Sequence, residues 1–174
     1  DNYELKKVDI AEREKMDQIL ETFKPDAIVH FAAESHVDNS IKSSDEFVKT
    51  NIFGTYVLLE STRKYLHVNN AKKDFRFVHV STDEVYGSLD INDESSSEDS
   101  PYKPNSPYSA SKACSNHLVR AWNRTYGVPC ITTNSSNNYG PYQNEEKFIP
   151  TIISNYLSNK KIPIYGNGKN IRDW

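Results

Sequence analysis

Long apolar runs are the first thing missing from these 174 residues: no window approaches the ~18 consecutive apolar residues of a membrane helix. The opening, DNYELKKVD, has no basic stretch leading into an apolar core, so it does not read as a secretory leader. Charge of one sign is missing too. Lys and Arg number 21 against 24 Asp and Glu, a net charge of -3, and the longest basic cluster is Lys72-Lys73. A phosphate backbone calls for a stripe of cations, so no nucleic-acid partner is expected, and no membrane. Cysteine is scarce: Cys114 and Cys130 form neither a CxxC pair nor a Cys/His cluster. That argues against a zinc site or a disulfide scaffold, predicts no metal, and suits a reducing, cytoplasmic setting. Glycine is sparse and scattered over positions 54, 87, 127, 140, 166 and 168, with no G-x-G-x-x-G turn. An initiator Met is absent as well, the first residues read as the tail of a strand ending Val8-Asp9-Ile10, and IRDW stops without a closing element. A segment of a longer chain is expected.

What is present is alternation. Met16, Ile19, Leu20 and Phe23 fall on one face of a helix, with Asp9 and Glu12 as a capping box and Lys24-Pro25 as the stop. The run 27–32 reads as a strand buried on both faces. A loop from Ala33 to Ser44 leads to a second capping box, Ser43 with Glu46, and a long helix through Phe47, Ile52, Val57 and Leu58 to Tyr65. Another strand covers 75–81. Residues 88–104, rich in Asp, Glu, Ser and Pro, read as surface loop. Ser106-Pro107 starts a helix that Gly127 ends, a strand spans 128–133, a loop 137–144 follows, and a last helix covers about 147–157. Consecutive βαβ units predict an α/β fold, a doubly wound parallel sheet with helices on both faces. In such sheets ligands sit beyond the carboxyl ends of the strands, which directs attention to 33–38, 81–86 and 134–142.

Three constellations there carry chemistry. Tyr108 and Lys112, four apart on a helix, place an ammonium beside a phenol, which would draw the phenol toward neutrality and make it a base; a solvated pair has the same spacing. Thr82-Asp83-Glu84 sets a hydroxyl and two carboxylates at a strand end, where repulsion raises one pKa and leaves an acid beside a base, a split that suits elimination. A simple strand-capping turn is the alternative. Ala32-Ala33 would admit a cofactor close to the backbone, while His36 reads more readily as a hydrogen-bonded loop residue than as a catalyst. Asp9 is equally a cap or an acceptor for a base or ribose. Lys147 and Arg172 are phosphate clamps or ordinary surface cations.

Together HFAAESHVDNSI (30–41), TNIFGTYVLLE (50–60), VSTDEVYG (80–87), SPYSASKA (106–113), NNYGPYQ (137–143), EKFIP (146–150) and YGNGKNIRDW (165–174) resemble the dTDP-glucose 4,6-dehydratase family, in the nucleotide-sugar branch of the extended short-chain dehydrogenase/reductase superfamily. The Thr-Asp-Glu triplet carries the resemblance to dehydratases rather than epimerases. The resemblance implies a Rossmann-like fold, here an incomplete segment without the first Gly-rich βαβ turn or most of the C-terminal substrate domain: 1–145 for NAD, 146–174 the start of the nucleotide-sugar region. It implies a hydro-lyase that uses NAD to dehydrate dTDP-glucose to its 4-keto-6-deoxy product in rhamnose-type deoxysugar biosynthesis. Tyr108 would be the base at the C4 hydroxyl, Lys112 would lower its pKa and hold the ribose, and Thr82 would bind the C4 oxygen. Asp83 would be the acid at C6 and Glu84 the base at C5. Asp9, Ile10, Ala32, Ala33, Ser35, Asn51, Ser81 and Ser135 would complete the NAD site with Tyr108 and Lys112; Asn137, Lys147 and Arg172 would hold the diphosphate. Many family members have Cys at the position of Ser135. A homodimer is expected through the helix of Tyr108, with Leu118, Ala121 and Trp122 as interface or sheet-facing residues. Another nucleotide sugar, UDP- or CDP-linked, and a non-catalytic module of the same fold are the alternatives. The segment alone is expected to bind NAD weakly or not at all.

Overall fold

Helix α1 (Arg13–Phe23) forms where the apolar period predicts and buries Met16 and Leu20, while Phe23 is 70% exposed at its end. The computed structural model describes residues 2–68, 74–164, 167–169 and 171–172; Lys72-Lys73 and residues 165, 166, 170, 173 and 174 of the last motif lie outside them. Lys24 stops α1 in the left-handed region at φ 52. Ahead of it, Val8–Ile10 forms no strand. Asp9 Oδ1 accepts the Ala11 N–H at 2.9 Å and Glu12 Oε1 accepts the Asp9 N–H at 3.4 Å, so the capping pair winds a turn before the helix.

Strand β1 (Ala27–His30) is followed by α2 (Val37–Lys42), a short helix inside the expected loop. Next come α3 (Asp45–Phe47), a π-helical segment (Val48–Gly54) and α4 (Thr55–Val68), joined without a break. The expected Ser43/Glu46 box does not form: Ser44 is at the N-cap, already in the helical region, and makes no side-chain cap bond. Strand β2 (Arg76–Thr82) passes into a 3-10 turn (Asp83–Tyr86). Helix α5 (Pro107–Tyr126) has the Ser106 cap, the first-turn Pro and the left-handed Gly127 stop read from sequence. Strand β3 (Cys130–Ser135) and α6 (Phe148–Leu157) complete the order.

The strands lie in the order β1-β2-β3, with β1 parallel to β2 in the register Ile28 to Phe77 and His30 to His79. Side chains alternate along strands, so Phe77 and His79 share the covered face with Ile28 and His30. There α1, α4 and α5 enclose a core that includes Leu20, Leu59, Tyr65, Phe77 and Val119. A fully buried Leu59 or Phe77 contributes roughly 1.5–3 kcal/mol.

The two-faced burial expected of 27–32 is not found. The strand ends at His30, Val29 is 54% exposed and Phe31 is exposed with it. Among the described residues β1 pairs on one edge, and Val29 and Ile131 stand on the sheet face that α1, α4 and α5 do not cover. The fold is α/β with parallel strands, as expected, and α1, α4 and α5 pack on one face of the sheet. Residues 1–134 and 135–174 are separate compact units, the second carrying α6.

Candidate active site

The turn after β2 secures itself. Thr82, at the N-cap of the 3-10 turn, accepts the Glu84 N–H on Oγ1 at 3.2 Å and donates to Asp83 Oδ1 at 3.3 Å. Val85 O accepts the Lys103 N–H at 2.9 Å. Gly87, at φ 92, runs so close to Lys103 that an added Cβ would lie 2.4 Å from its carbonyl oxygen. Asp83 is left half-buried and Glu84 exposed on a braced turn.

Helix α5 brings Tyr108 to this turn. Lys112 is 4% exposed and its Nζ donates to Val80 O at 2.8 Å. Burial brings the Lys112 ammonium down to about 8. The Tyr108 phenol is pushed up to about 12, by burial first and then by the Glu84 carboxylate, against a hydrogen bond with Thr82 and with a smaller contribution from Asp83. This corrects the expectation that Lys112 draws the phenol toward neutrality. The ammonium is engaged by a strand carbonyl while two carboxylates face the phenol. The structure nonetheless gathers Thr82, Asp83, Glu84 and Tyr108 in one place, with Lys112 behind them.

The loop after β1 is the other half of the site. Ala32, Glu34 and Ser35 are exposed and Ala33 half-buried. Asn51, 1% exposed, accepts the Glu34 N–H on Oδ1 at 2.9 Å, and its Nδ2 donates to Glu34 O at 3.0 Å and Ser111 Oγ at 2.8 Å. Ser81 is 7% exposed, and its Oγ and the Nδ1 of His36 are buried with no hydrogen-bond partner among the described residues. Buried polar atoms require partners, a need that a ligand's hydroxyls and amides meet. Asp9 is held below the usual carboxylate range by the Ala11 N–H and, against slight burial, by Lys49 at 3.4 Å. Ile10 packs on Gly54.

The remaining predicted residues belong to the second unit. Ser135 ends β3, and Asn137 is half-buried in the loop that follows. Lys147 caps α6 with its Nζ 3.2 Å from Glu146 Oε1, and exposed Arg172 donates from Nη1 to Ile171 O at 3.0 Å. No cluster of three metal-ligating side chains occurs among the described residues, and no helix there is long and apolar enough to cross a membrane.

Several residues near the site escaped the sequence reading. Ser111, which accepts from Asn51, donates its hydroxyl to Tyr108 O at 2.7 Å; its signal was its place inside SASKA. Asn116 donates to Tyr102 Oη at 3.0 Å and to Asn134 Oδ1 at 3.1 Å, and Asn134 donates to Tyr86 Oη at 2.8 Å. His30 and His79 stack 5.2 Å apart beneath Lys112, with His30 Nε2 2.9 Å from Thr55 Oγ1. Burial pushes them down to about 4 and about 2, helped by the positive charge of Lys112.

A family profile described as GDP-mannose 4,6 dehydratase matches residues 1–174. The dTDP-glucose 4,6-dehydratase of Haemophilus influenzae is 58% identical over 174 residues, 99% of this chain and 52% of that protein. Its counterpart from Neisseria meningitidis is 55% identical over 99% of this chain and 49% of its own length. The chain thus spans about half the length of the curated relatives it matches. Among solved structures, the dTDP-glucose 4,6-dehydratase DesIV of Streptomyces venezuelae, with NAD bound, superposes at a TM-score of 0.86 and 47% identity, over 96% of this chain and 48% of its own. A UDP-glucose 4-epimerase of Thermotoga maritima superposes at 0.85 with 27% identity, over 97% of this chain and 53% of its own.

Proposed function

Because the chain belongs to the GDP-mannose 4,6-dehydratase family, we propose that it works as an NAD-dependent hydro-lyase on a nucleotide-linked hexose, with dTDP-glucose as substrate. The observation that carries this reading is the convergence of Tyr108 and Thr82 with two carboxylates, Asp83 and Glu84, on one braced turn. Epimerisation at C4 has use for a phenol and a hydroxyl; loss of water across C5 and C6 needs an acid and a base as well.

NAD fits the residues present: Ser81 Oγ and His36 Nδ1 are buried and short of partners among the described residues, and the loop after β1 carries the small residues Ala32 and Ala33. Asp9, Ile10, Ala32, Ala33, Ser35, Asn51, Ser81 and Ser135 would hold it with Tyr108 and Lys112. When bound it would accept a hydride from C4 and return it at C6, and its positive charge would favour the phenolate form of Tyr108. The chain's own residues move the protons. Tyr108 Oη takes the C4 hydroxyl proton as the C4 ketone forms, while Thr82 Oγ1 hydrogen-bonds the C4 oxygen. Glu84 removes the C5 proton made acidic by that ketone. Asp83 protonates the C6 hydroxyl, which leaves as water; when C6 is reduced Glu84 returns its proton to C5, and the proton taken up by Tyr108 passes through solvent to replace the one Asp83 gave, so the protons balance. Asn137, Lys147 and Arg172 would neutralise the diphosphate.

The homodimer has a surface to support it. Phe53, Tyr56, Trp122 and Tyr126 make a file of ring contacts at 5.8, 5.8 and 5.5 Å along the π-helical segment, α4 and α5, three of them at the surface. Leu118 and Trp122 pack partly on the core and Ala121 is exposed. Aromatic surfaces of this kind suit interfaces.

The test is to incubate the full-length, NAD-loaded enzyme separately with dTDP-glucose, UDP-glucose, CDP-glucose and GDP-mannose and to follow product mass. Loss of one water from dTDP-glucose is the expected result. Loss from another sugar alone moves the substrate and keeps the mechanism, inversion at C4 without loss of water replaces dehydration with epimerisation, and no change in any sugar overturns the enzyme reading.

A further inference from the structure

The π-helical segment Val48–Gly54 touches both loops assigned above to the cofactor, through three different residues. Lys49 Nζ lies 3.4 Å from Asp9 Oδ2. Asn51 grips the Glu34 backbone at both N–H and C=O and ties it to Ser111 on the helix of Tyr108. Gly54 lets Ile10 approach so closely that a Cβ there would sit 2.7 Å from Ile10 Cδ1 and Cγ1.

The wide turn is what allows this. In an α-helix residues five apart point about 140° away from each other, whereas here Lys49 and Gly54 meet the neighbouring residues Asp9 and Ile10. A π turn bonds i to i+5 and brings them to one side. The α register resumes at Thr55, whose hydroxyl meets His30. Asn51, meanwhile, commits both amide hydrogens and its oxygen to protein partners and is all but fully buried, so its side chain acts on a ligand through Glu34.

We propose that the π-helical segment is the positioning element of the cofactor cleft: it fixes the 9–10 turn and the 32–35 loop relative to each other and to the helix of Tyr108. Asn51, Lys49 and Gly54 are positioning residues. This rests on the reading that NAD binds between those loops.

The test uses the full-length enzyme stripped of NAD, in wild-type form and as Asn51→Ala and Gly54→Ala. Measured are the NAD dissociation constant, the dTDP dissociation constant, kcat at saturating NAD with its pH profile, and Tm. We expect Asn51→Ala to weaken NAD by about tenfold, the equivalent of roughly 1.4 kcal/mol, with dTDP affinity held within about twofold of wild type. Gly54→Ala adds only a methyl and reports on the other loop, so it decides the matter if Asn51→Ala fails to fold; it too should loosen NAD selectively. A lowered Tm with unchanged NAD affinity in the folded variants overturns the proposal and leaves a merely structural role. Wild-type enzyme that binds no NAD overturns the cofactor reading itself, a failure visible before any variant is made.

Discussion

The two strand ends that form the candidate site are held in opposite ways. After β2 the chain braces itself: Thr82 caps its own turn, Lys103 closes onto Val85, and Gly87 passes against Lys103 where no side chain fits. After β1 the loop 31–36 is exposed over most of its length, and the bonds to its Glu34 backbone come from Asn51, seventeen residues on. The difference follows from what each end is asked to do. Groups that exchange protons need fixed geometry, since a small misplacement costs rate steeply. A loop that lies along a ligand needs small side chains and an exposed backbone, and such a loop has little with which to hold itself.

The largest effect separates chemistry from scaffold at the braced end. Tyr108→Phe removes the hydroxyl to which we assign the C4 proton and leaves the Ser111-to-Tyr108 backbone bond in place. We expect kcat to fall about 10²- to 10⁴-fold, with Tm and NAD affinity nearly unchanged; retention of a tenth of the activity would mean that another group does the work.

Acid should break both ends together, because they hang on one buried pair. His30, the last residue of β1, and His79, three residues before the end of β2, face each other in the register. Their folded pKa values, about 4 and about 2, lie below the ordinary 6.5. The unfolded chain therefore takes up protons first. The pair's contribution is complete above about pH 6.5 and is lost as pH falls toward the folded values. Denaturant titrations at pH 8 and pH 5 should differ by on the order of 2–4 kcal/mol, and His79→Leu should flatten the slope. An equally steep profile in that variant would assign the acid sensitivity elsewhere.

Gly87→Ala tests the brace itself. A Cβ at φ 92 is strained, and at 2.4 Å from the Lys103 carbonyl it forces backbone to move. A loss of about 2–3 kcal/mol is expected, together with weakened turnover, since Asp83 and Glu84 ride on the same turn. The contrasting substitution Gly127→Ala meets no atom within 4 Å and bears only the cost of φ 71. Equal losses at the two glycines would show that the crowding at Lys103 matters little.

How much of this was visible in the sequence depends on how local the signal is. Helix α5 was legible at both ends because Ser106, Pro107 and Gly127 act on their own backbone. The turn after β2 was legible because three polar side chains follow directly on a β-rich run. The π-helical segment was not: its apolar residues fit a 3.6-residue period well enough, and what widens the turn is contact with residues 9, 10 and 34, distant in the chain. Helix α2 was hidden for another reason, being only six residues of mixed character. The pairing of Tyr108 with Lys112 came from spacing, but spacing does not say where an ammonium points. Val80 O claims Lys112 Nζ, and two carboxylates three and four positions later claim the phenol's surroundings. Burial of 27–32 failed likewise, since an apolar run records what a strand tolerates and not which neighbours cover it.

The smallest predicted effect tests whether the braced end depends on the start of α5 as well as on its own turn. Ser106 Oγ accepts the Ser109 N–H at 3.0 Å while Ser109 Oγ accepts the Ser106 N–H at 2.9 Å, a reciprocal cap at the first turn, where Tyr108 sits. Ser106→Ala removes half of it and should cost about 1 kcal/mol of stability, read as a shift in denaturant midpoint with an unchanged slope. Because Lys112 remains anchored on Val80 one turn further along, Tyr108 should keep its place and kcat should stay within about twofold of wild type. Ser96→Ala in the exposed 88–104 loop is the matched control and should change neither quantity. If Ser106→Ala lowers kcat as much as Gly87→Ala does, the phenol is held by its cap and not by the lysine beneath it.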